Sequence, residues 1–228
     1  MARSLVVMPV YNESEVFEEV LKKTLFSCKR FGLDLVVVDD GSARLLSTFS
    51  AASQKPIVLL RHEVNCGVGA AVGTGFAYAK REGYQRVLTI DGDGQHDPAD
   101  LEKLIEKLDQ GNDVVNGSRF LSSQKVPASR RVANFFGNIV TFFLSGLWVS
   151  DSQSGMKGFS VRALDQLEIF SAGYEWCTDV FREASWYDLK VVEVPISVKY
   201  TEYSMKKGQS FAVGTDMVMR LVIRALMR

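Results

Sequence analysis

The chain has few of the residues from which a metal cluster or a disulfide framework is built. Its three cysteines, Cys28, Cys66 and Cys177, are odd in number, widely spaced and form no CxxC pair. Its two histidines, His62 and His96, stand far apart in sequence. That supply excludes a disulfide scaffold and argues against a structural zinc site. Neither sign of charge is in excess, because 27 Lys and Arg balance 27 Asp and Glu. Nucleic-acid binders usually carry a basic surplus, so no nucleic-acid partner is expected. The opening residues Met1-Ala-Arg-Ser-Leu5 lack a secretory signal, so reduced thiols in a cytoplasmic setting are expected. Internal repeats and low-complexity tracts are also lacking. The 228 residues, 46% hydrophobic, suffice for one large α/β domain.

Long apolar runs are nearly absent too. One uncharged stretch, 132–150, carries Phe135, Phe136, Phe142, Phe143 and Trp148 and is close to the minimum length of a membrane span. Within it Asn134, Asn138, Thr141 and Ser145 recur at helical spacing, and Arg131 falls on the same face. The pattern predicts an amphipathic helix over 130–149, lying within the protein or against a membrane surface.

The most informative segment is Leu88-Thr-Ile-Asp-Gly-Asp-Gly-Gln-His-Asp-Pro98. An apolar run over 86–90 reads as a buried strand that stops at Asp91. Gly92 and Gly94 mark a turn, and Pro98 opens a helix. Asp91 and Asp93 therefore sit at the carboxyl end of a strand, where open α/β sheets place ligands. Two carboxylates so close repel each other unless a cation lies between them, and Mg²⁺ commonly bridges carboxylates to substrate phosphates. An EF-hand is excluded, because its sixth position must be Gly and here is His96, and because a strand precedes the loop.

Strands are predicted over 4–10, 34–39, 56–61, 86–90 and 113–117, with helices over 13–30, 43–53, 68–81 and 99–110 between them. The strands are rich in Val, Ile and Leu with little alternation, as in a parallel, doubly wound sheet covered on both faces. Beyond these, the pattern predicts a loop over 121–129, a turn over 151–155, a helix over 177–187, a strand over 191–200 and a polar loop over 203–210. A terminal apolar helix over 211–228 carries Arg220, Arg224 and Arg228 at i, i+4 spacing, which suits an anionic membrane surface. The expected division is a main domain over 1–210 and this basic helix. A dinucleotide site at Gly67-x-Gly69 is disfavoured, because the glycines follow the third strand rather than the first.

The segments MPVYNE, VVDDGS, NCGVGAA, DGDGQHDP, NGSR, DSQSGMKGF and KKGQS, running from Met8 to Ser210, together resemble glycosyltransferase family 2, the inverting enzymes of GT-A fold. Within it the chain is most similar to polyprenyl-phosphate glycosyltransferases of the dolichyl-phosphate mannose synthase type. The resemblance implies a nucleotide-sugar donor, UDP- or GDP-linked, bound by Pro9, Tyr11, Glu13, Asp40, Gly69, Asp91 and Gly92. It implies Mg²⁺ or Mn²⁺ held by Asp91, Asp93 and Gln95. It implies an acceptor phosphate at Arg119, Arg131 and Asn134, and catalytic roles for Asp93, Arg119, Arg131 and Asp151. The implied acceptor is a polyprenyl phosphate, reached from the cytoplasmic face of a membrane through amphipathic helices or a small membrane-protein partner, and an oligomer is compatible with it. A hydroxyl acceptor would need a carboxylate base, for which Asp151, Glu175 and Asp179 are candidates. A silent nucleotide-sugar-binding protein is the third alternative, and the intact Asp91/Asp93 pair speaks against it. The chain departs from the family in Met205-Lys-Lys-Gly-Gln-Ser210, where an Arg-x-x-Gly-Glu-Ser motif is common, which puts that loop's contact with donor phosphates in doubt.

Overall fold

The structure is a computed structural model that describes residues 2–13, 17–43, 57–123, 126–169 and 171–200. The expected helix over 43–53, the loop over 203–210, the terminal helix over 211–228 and the domain division at 210 lie largely or wholly outside the described residues.

The first half follows the expected alternation. Strand β1 (Ser4–Val10) leads to helix α1 (Phe17–Phe31), β2 (Asp34–Asp39), β3 (Val58–Arg61), α2 (Val68–Arg81) and β4 (Arg86–Thr89). A single 3₁₀ turn, Pro98–Asp100, then opens α3 (Leu101–Asp109), with the Asp97 carboxylate accepting from the Ala99 N–H at 3.0 Å. Strand β5 (Val114–Ser118) ends this half. Helix α4 (Ala128–Ser145) begins two residues before its predicted start, and Gly146 in the left-handed region closes it. Strand β6 (Lys157–Ser160), α5 (Val161–Gln166), α6 (Trp176–Trp186) and β7 (Val191–Pro195) complete the described residues.

The sheet has seven strands in the order β3-β2-β1-β4-β6-β5-β7. The sheet is mostly parallel, as expected for a GT-A fold, with one strand reversed. Strand β6 runs antiparallel between β4 and β5, while the other pairings are parallel. The turn at 151–155 sends the chain back between two strands formed earlier, so the insertion is a long-range pairing without a local sequence signature.

Alternate residues of β1 enter opposite cores, as pleating requires. Leu5 and Val7 pack with α2, α5 and α6, whereas Val6, Met8 and Val10 pack with α1 and α3. Helix α2 sits close on the sheet at Gly75, where an added Cβ would fall 2.3 Å from Val7 Cγ1. Both faces are thus covered, and the carboxyl ends of the parallel strands remain as the open edge.

Candidate active site

A cavity of about 530 Å³ opens at that edge. Pro9 at the end of β1, Tyr11 and Glu13 after it, Asp40 after β2, Asn65 and Gly67 after β3, Asp91, Gly92, Asp93 and Gln95 after β4 and Arg119 after β5 border it. Helix α4 adds Arg130, Ala133 and Asn134, and the later loops add Gln153, Gly155, Gly173 and Tyr174. The last four were missed in the sequence, because nothing local brings the 153–155 and 173–174 segments to the strand ends.

At the acidic end, Asp93 is supported by Gln95, whose backbone N–H donates to Oδ1 at 2.9 Å and whose side-chain amide donates to Oδ2 at 2.6 Å. Burial, together with the neighbouring Asp91 charge, pushes the Asp93 carboxyl up to about 6. His96 is buried with Nε2 3.5 Å from Asp91 Oδ2, and its Nδ1 has no hydrogen-bond partner among the described residues. Asp91 lies against the backbone of Gly155, where an added Cβ would fall 2.1 Å from Oδ2. The Thr89 hydroxyl holds that turn by donating to the Gly155 carbonyl at 2.6 Å. The raised Asp93 carboxyl, with a second hard carboxylate at Asp91 and an orphaned imidazole nitrogen on the His96 that faces it, fits a divalent cation.

Asp40 forms the far end of the cavity and is buried. Its carboxylate accepts from the N–H groups of Cys66 and Gly67, each at 2.8 Å, and faces His62 Nδ1 at 2.7 Å. The other ring nitrogen of His62 lies 2.9 Å from the Thr74 hydroxyl. Asp40 therefore orders the segment after β3 as well as lining the cavity. Folding also brings Asp40, His62 and Cys66, distant in sequence, within 4.8 Å of one another at their donor atoms. The imidazole and carboxylate of that group are already bonded inside the protein. Gly69 does not line the cavity. Its N–H donates to the Ala172 carbonyl at 2.7 Å, so the start of α2 is closed by the chain's own loop.

At the cationic end, Arg119 and Asp151 form a buried pair. The Asp151 carboxylate, wholly buried, accepts from the Arg119 backbone N–H at 3.0 Å, from Nε at 2.6 Å and from Nη2 at 2.6 Å. Burial alone would weaken the guanidinium's charge. The Asp151 carboxylate more than offsets this, so the pKa of Arg119 is held above its ordinary value. Asp151 is fixed from behind, with its carbonyl accepting from Asn116 Nδ2 at 2.9 Å. Asn116 Oδ1 accepts in turn from the fully buried Lys157 Nζ at 2.6 Å. Burial lowers the pKa of Lys157. Asn134 and Asn138 hold the same turn from α4, each donating to the Ser150 carbonyl, at 3.0 and 2.8 Å.

Arg131 is exposed and does not border the cavity, whereas Arg130 does. The inward face of α4 runs through Arg130, Asn134, Asn138 and Thr141, and Arg131 is turned off it by one residue's rotation, about 100°. Of the carboxylates offered as bases, Asp151, Glu175 and Asp179 do not border the cavity. Asp179 is wholly buried, bonded to Ser171 and 3.3 Å from Arg182. Tyr174 does border it, and burial with the nearby Asp91 and Asp93 charges pushes its phenol up to about 12.

Comparison with known proteins gives the family and the fold. Residues 5–168 match the model of a family described as glycosyl transferase family 2. A UDP-N-acetylglucosamine–dolichyl-phosphate N-acetylglucosaminyltransferase of Methanococcus voltae is 32% identical, over 95% of this chain and 94% of that protein. A polyprenol monophosphomannose synthase of Mycolicibacterium smegmatis is 29% identical, over 90% of this chain and 80% of that one. Among solved structures, glucosyl-3-phosphoglycerate synthase from Mycobacterium tuberculosis, in complex with Mn²⁺, UDP and glucosyl-3-phosphoglycerate, superimposes with a TM-score of 0.71 at 17% identity, covering 99% of this chain and 79% of that chain. The fold is therefore GT-A.

Proposed function

Because the chain belongs to glycosyl transferase family 2, and is therefore a glycosyltransferase, we propose that it moves a sugar from a nucleotide-sugar, with inversion, to a polyprenyl phosphate. One observation carries the choice of acceptor. The cavity has guanidinium groups opposite its acidic end, and the three carboxylates best suited by sequence to act as a base do not border it. A hydroxyl acceptor needs a base to take its proton. A phosphate monoester is already largely dianionic near neutral pH, with a second pKa of about 6, and needs only cations to hold it. The two relatives named above, by their names, both act on lipid phosphates or form lipid monophosphosugars.

In this reading Tyr11 and Asp40 hold the nucleoside, and Asp91 and Asp93 would hold a divalent metal beside the donor diphosphate. The metal would stabilise the charge that builds on the departing nucleoside diphosphate. Gln95 and Gly155 keep the two carboxylates in place. Arg119, oriented by Asp151, and Arg130 steer the acceptor phosphate so that one oxygen lies in line with the anomeric carbon. That oxygen forms the new bond as the bond to the diphosphate breaks, and no proton is transferred. No helix among the described residues is long and apolar enough to cross a membrane, so a lipid acceptor implies work at a membrane surface.

The test is a panel of UDP- and GDP-sugars with polyprenyl phosphate and Mn²⁺, read by release of nucleoside diphosphate and by the mass of the lipid product. Turnover with at least one donor is expected. Turnover with a glycan hydroxyl, and none with polyprenyl phosphate, would overturn the reading.

A further inference from the structure

Folding assembles a second set of metal-ligating side chains, at the far end of the cavity from Asp91 and Asp93. Asp40 follows β2, His62 follows β3, and Cys66 comes shortly after it. Their donor atoms all lie within 4.8 Å of one another. Carboxylate, imidazole and thiolate are the ligands that zinc takes, and sulfur with nitrogen selects it over Mg²⁺ or Mn²⁺. We propose that Asp40 Oδ1, His62 Nδ1 and Cys66 Sγ form a zinc site, and that Zn²⁺ bound there blocks the nucleoside end of the cavity.

Two of the ligands are already held from behind, as metal ligands commonly are. His62 Nε2 lies 2.9 Å from the Thr74 hydroxyl on α2. In the metal-bound form Nε2–H donates to it, which leaves Nδ1 to ligate. Asp40 Oδ1 accepts from the Cys66 N–H and Oδ2 from the Gly67 N–H, each at 2.8 Å, so the backbone orients the carboxylate. Nδ1 and Oδ1 are 2.7 Å apart with one hydrogen between them. A tetrahedral zinc with bonds of about 2.0 Å to each would hold them roughly 3.3 Å apart. The metal therefore replaces that hydrogen after an opening of roughly 0.6 Å, and the thiol proton leaves to solvent. Cys66 is exposed, so the ion has an entry path. Its thiol meets only the Val64 carbonyl, at 3.4 Å, and is readily turned toward a metal. Three protein ligands leave a fourth position for water, unlike a closed structural site. Asp40 borders the cavity. With zinc on Oδ1, that oxygen no longer accepts from a nucleobase or ribose. The block rests on the nucleoside role of Asp40 proposed above; the metal site does not.

The experiment titrates the reduced full chain with Co²⁺, a spectroscopic stand-in for Zn²⁺, and reads the near-ultraviolet thiolate-to-cobalt charge-transfer band. Cys28 and Cys177 are buried, so such a band reports Cys66. An acidic site without sulfur gives none. The native chain should show the band, and Zn²⁺ should remove it. Cys66→Ala should lack it, and His62→Gln should need at least ~10-fold more Co²⁺. Calorimetry then measures UDP and GDP binding in Mn²⁺, with and without Zn²⁺. Zn²⁺ should weaken nucleotide binding to the native chain by ~10-fold or more, and leave Cys66→Ala within about threefold. Any exchange of Zn²⁺ for Mn²⁺ at the acidic end acts on both proteins alike, so their difference isolates Cys66. No band in the native chain, or a band that survives Cys66→Ala, would overturn the proposal. An equal effect of Zn²⁺ on the two proteins would overturn the block. A Cys66-dependent band with unchanged nucleotide affinity would uphold the zinc site and overturn the nucleoside role of Asp40.

Discussion

Replacing Asp151 with Asn separates the two roles that a carboxylate in this position can hold. The side chain is wholly buried and takes three hydrogen bonds from Arg119. Asparagine has nearly the same shape but no charge, and one of its two terminal atoms becomes a donor facing donors. Breaking a buried ion pair by removing one partner costs about 3–5 kcal/mol, because the other charge stays buried without compensation. For a chain of this size each kcal/mol lowers the melting temperature by about 2–4 °C, so a fall of about 6–20 °C is expected. Urea unfolding should shift its midpoint by the corresponding amount with an unchanged slope. The guanidinium keeps its proton in the variant, so what is lost is its aim. At a temperature where the variant is folded, the KM for polyprenyl phosphate should rise while nucleotide-sugar affinity stays within about threefold, a difference below 0.7 kcal/mol. An unshifted melting temperature together with a collapse of kcat would refute this reasoning. Asp151 would then be acting chemically, as a base, and the case for a phosphate acceptor would fall with it.

Other substitutions test the remaining parts of the site. Gly155→Ala places a methyl group 2.1 Å from Asp91 Oδ2 and should weaken Mn²⁺ binding by ~10-fold or more in calorimetry; native affinity would show that Asp91 is not a ligand. Asp93→Ala should abolish transfer, and a chelator should do the same to the native enzyme, whereas full turnover with chelator present would remove the metal from the reaction. Arg130→Ala should cut turnover on a soluble prenyl phosphate by ~100-fold, the scale of about 3 kcal/mol of charge-assisted bonding. Arg131→Ala should cost little in the same assay, and the opposite order would return the clamp to Arg131. Asp40→Asn should raise the nucleotide dissociation constant by ~10-fold and also lower stability, because the carboxylate holds the Cys66 and Gly67 amides; unchanged nucleotide affinity in calorimetry would confine Asp40 to that structural role.

Much of the sheet was legible in the sequence because its signal is local. The bounds of β1, β2 and α2 agree with their predicted spans, since a strand covered on both faces must be apolar throughout and β1 is buried from end to end. The antiparallel strand β6 was not legible. It has four residues, one of them glycine, and its pairing is written in β4 and β5 rather than in itself. A lysine in so short an apolar segment reads as a surface charge. Lys157 is instead fully buried, and its partner Asn116 lies 41 residues earlier. Partnership at that separation becomes visible only when the strands are placed side by side.

The site shows the same division between what is local and what is not. The acidic strand end at Asp91 and Asp93 could be read from one segment, because the turn glycines and the strand before them suffice to position it. The polar stripe of α4 could also be read, and Asn134, Asn138, Thr141 and Ser145 are all buried as one face. Its phase could not. Whether Arg130 or Arg131 joins that face depends on a rotation of about 100°, which packing against the turn at Ser150 decides, through the two asparagines that bond its carbonyl. Nor does spacing reveal that a carboxylate is already spent. Asp151 has the right chemistry for a base and the right place in the motif, and only the three bonds from Arg119 show it committed to holding a cation. In the proposed reading, that commitment removes Asp151 as a base and suits the site to an acceptor that brings no proton.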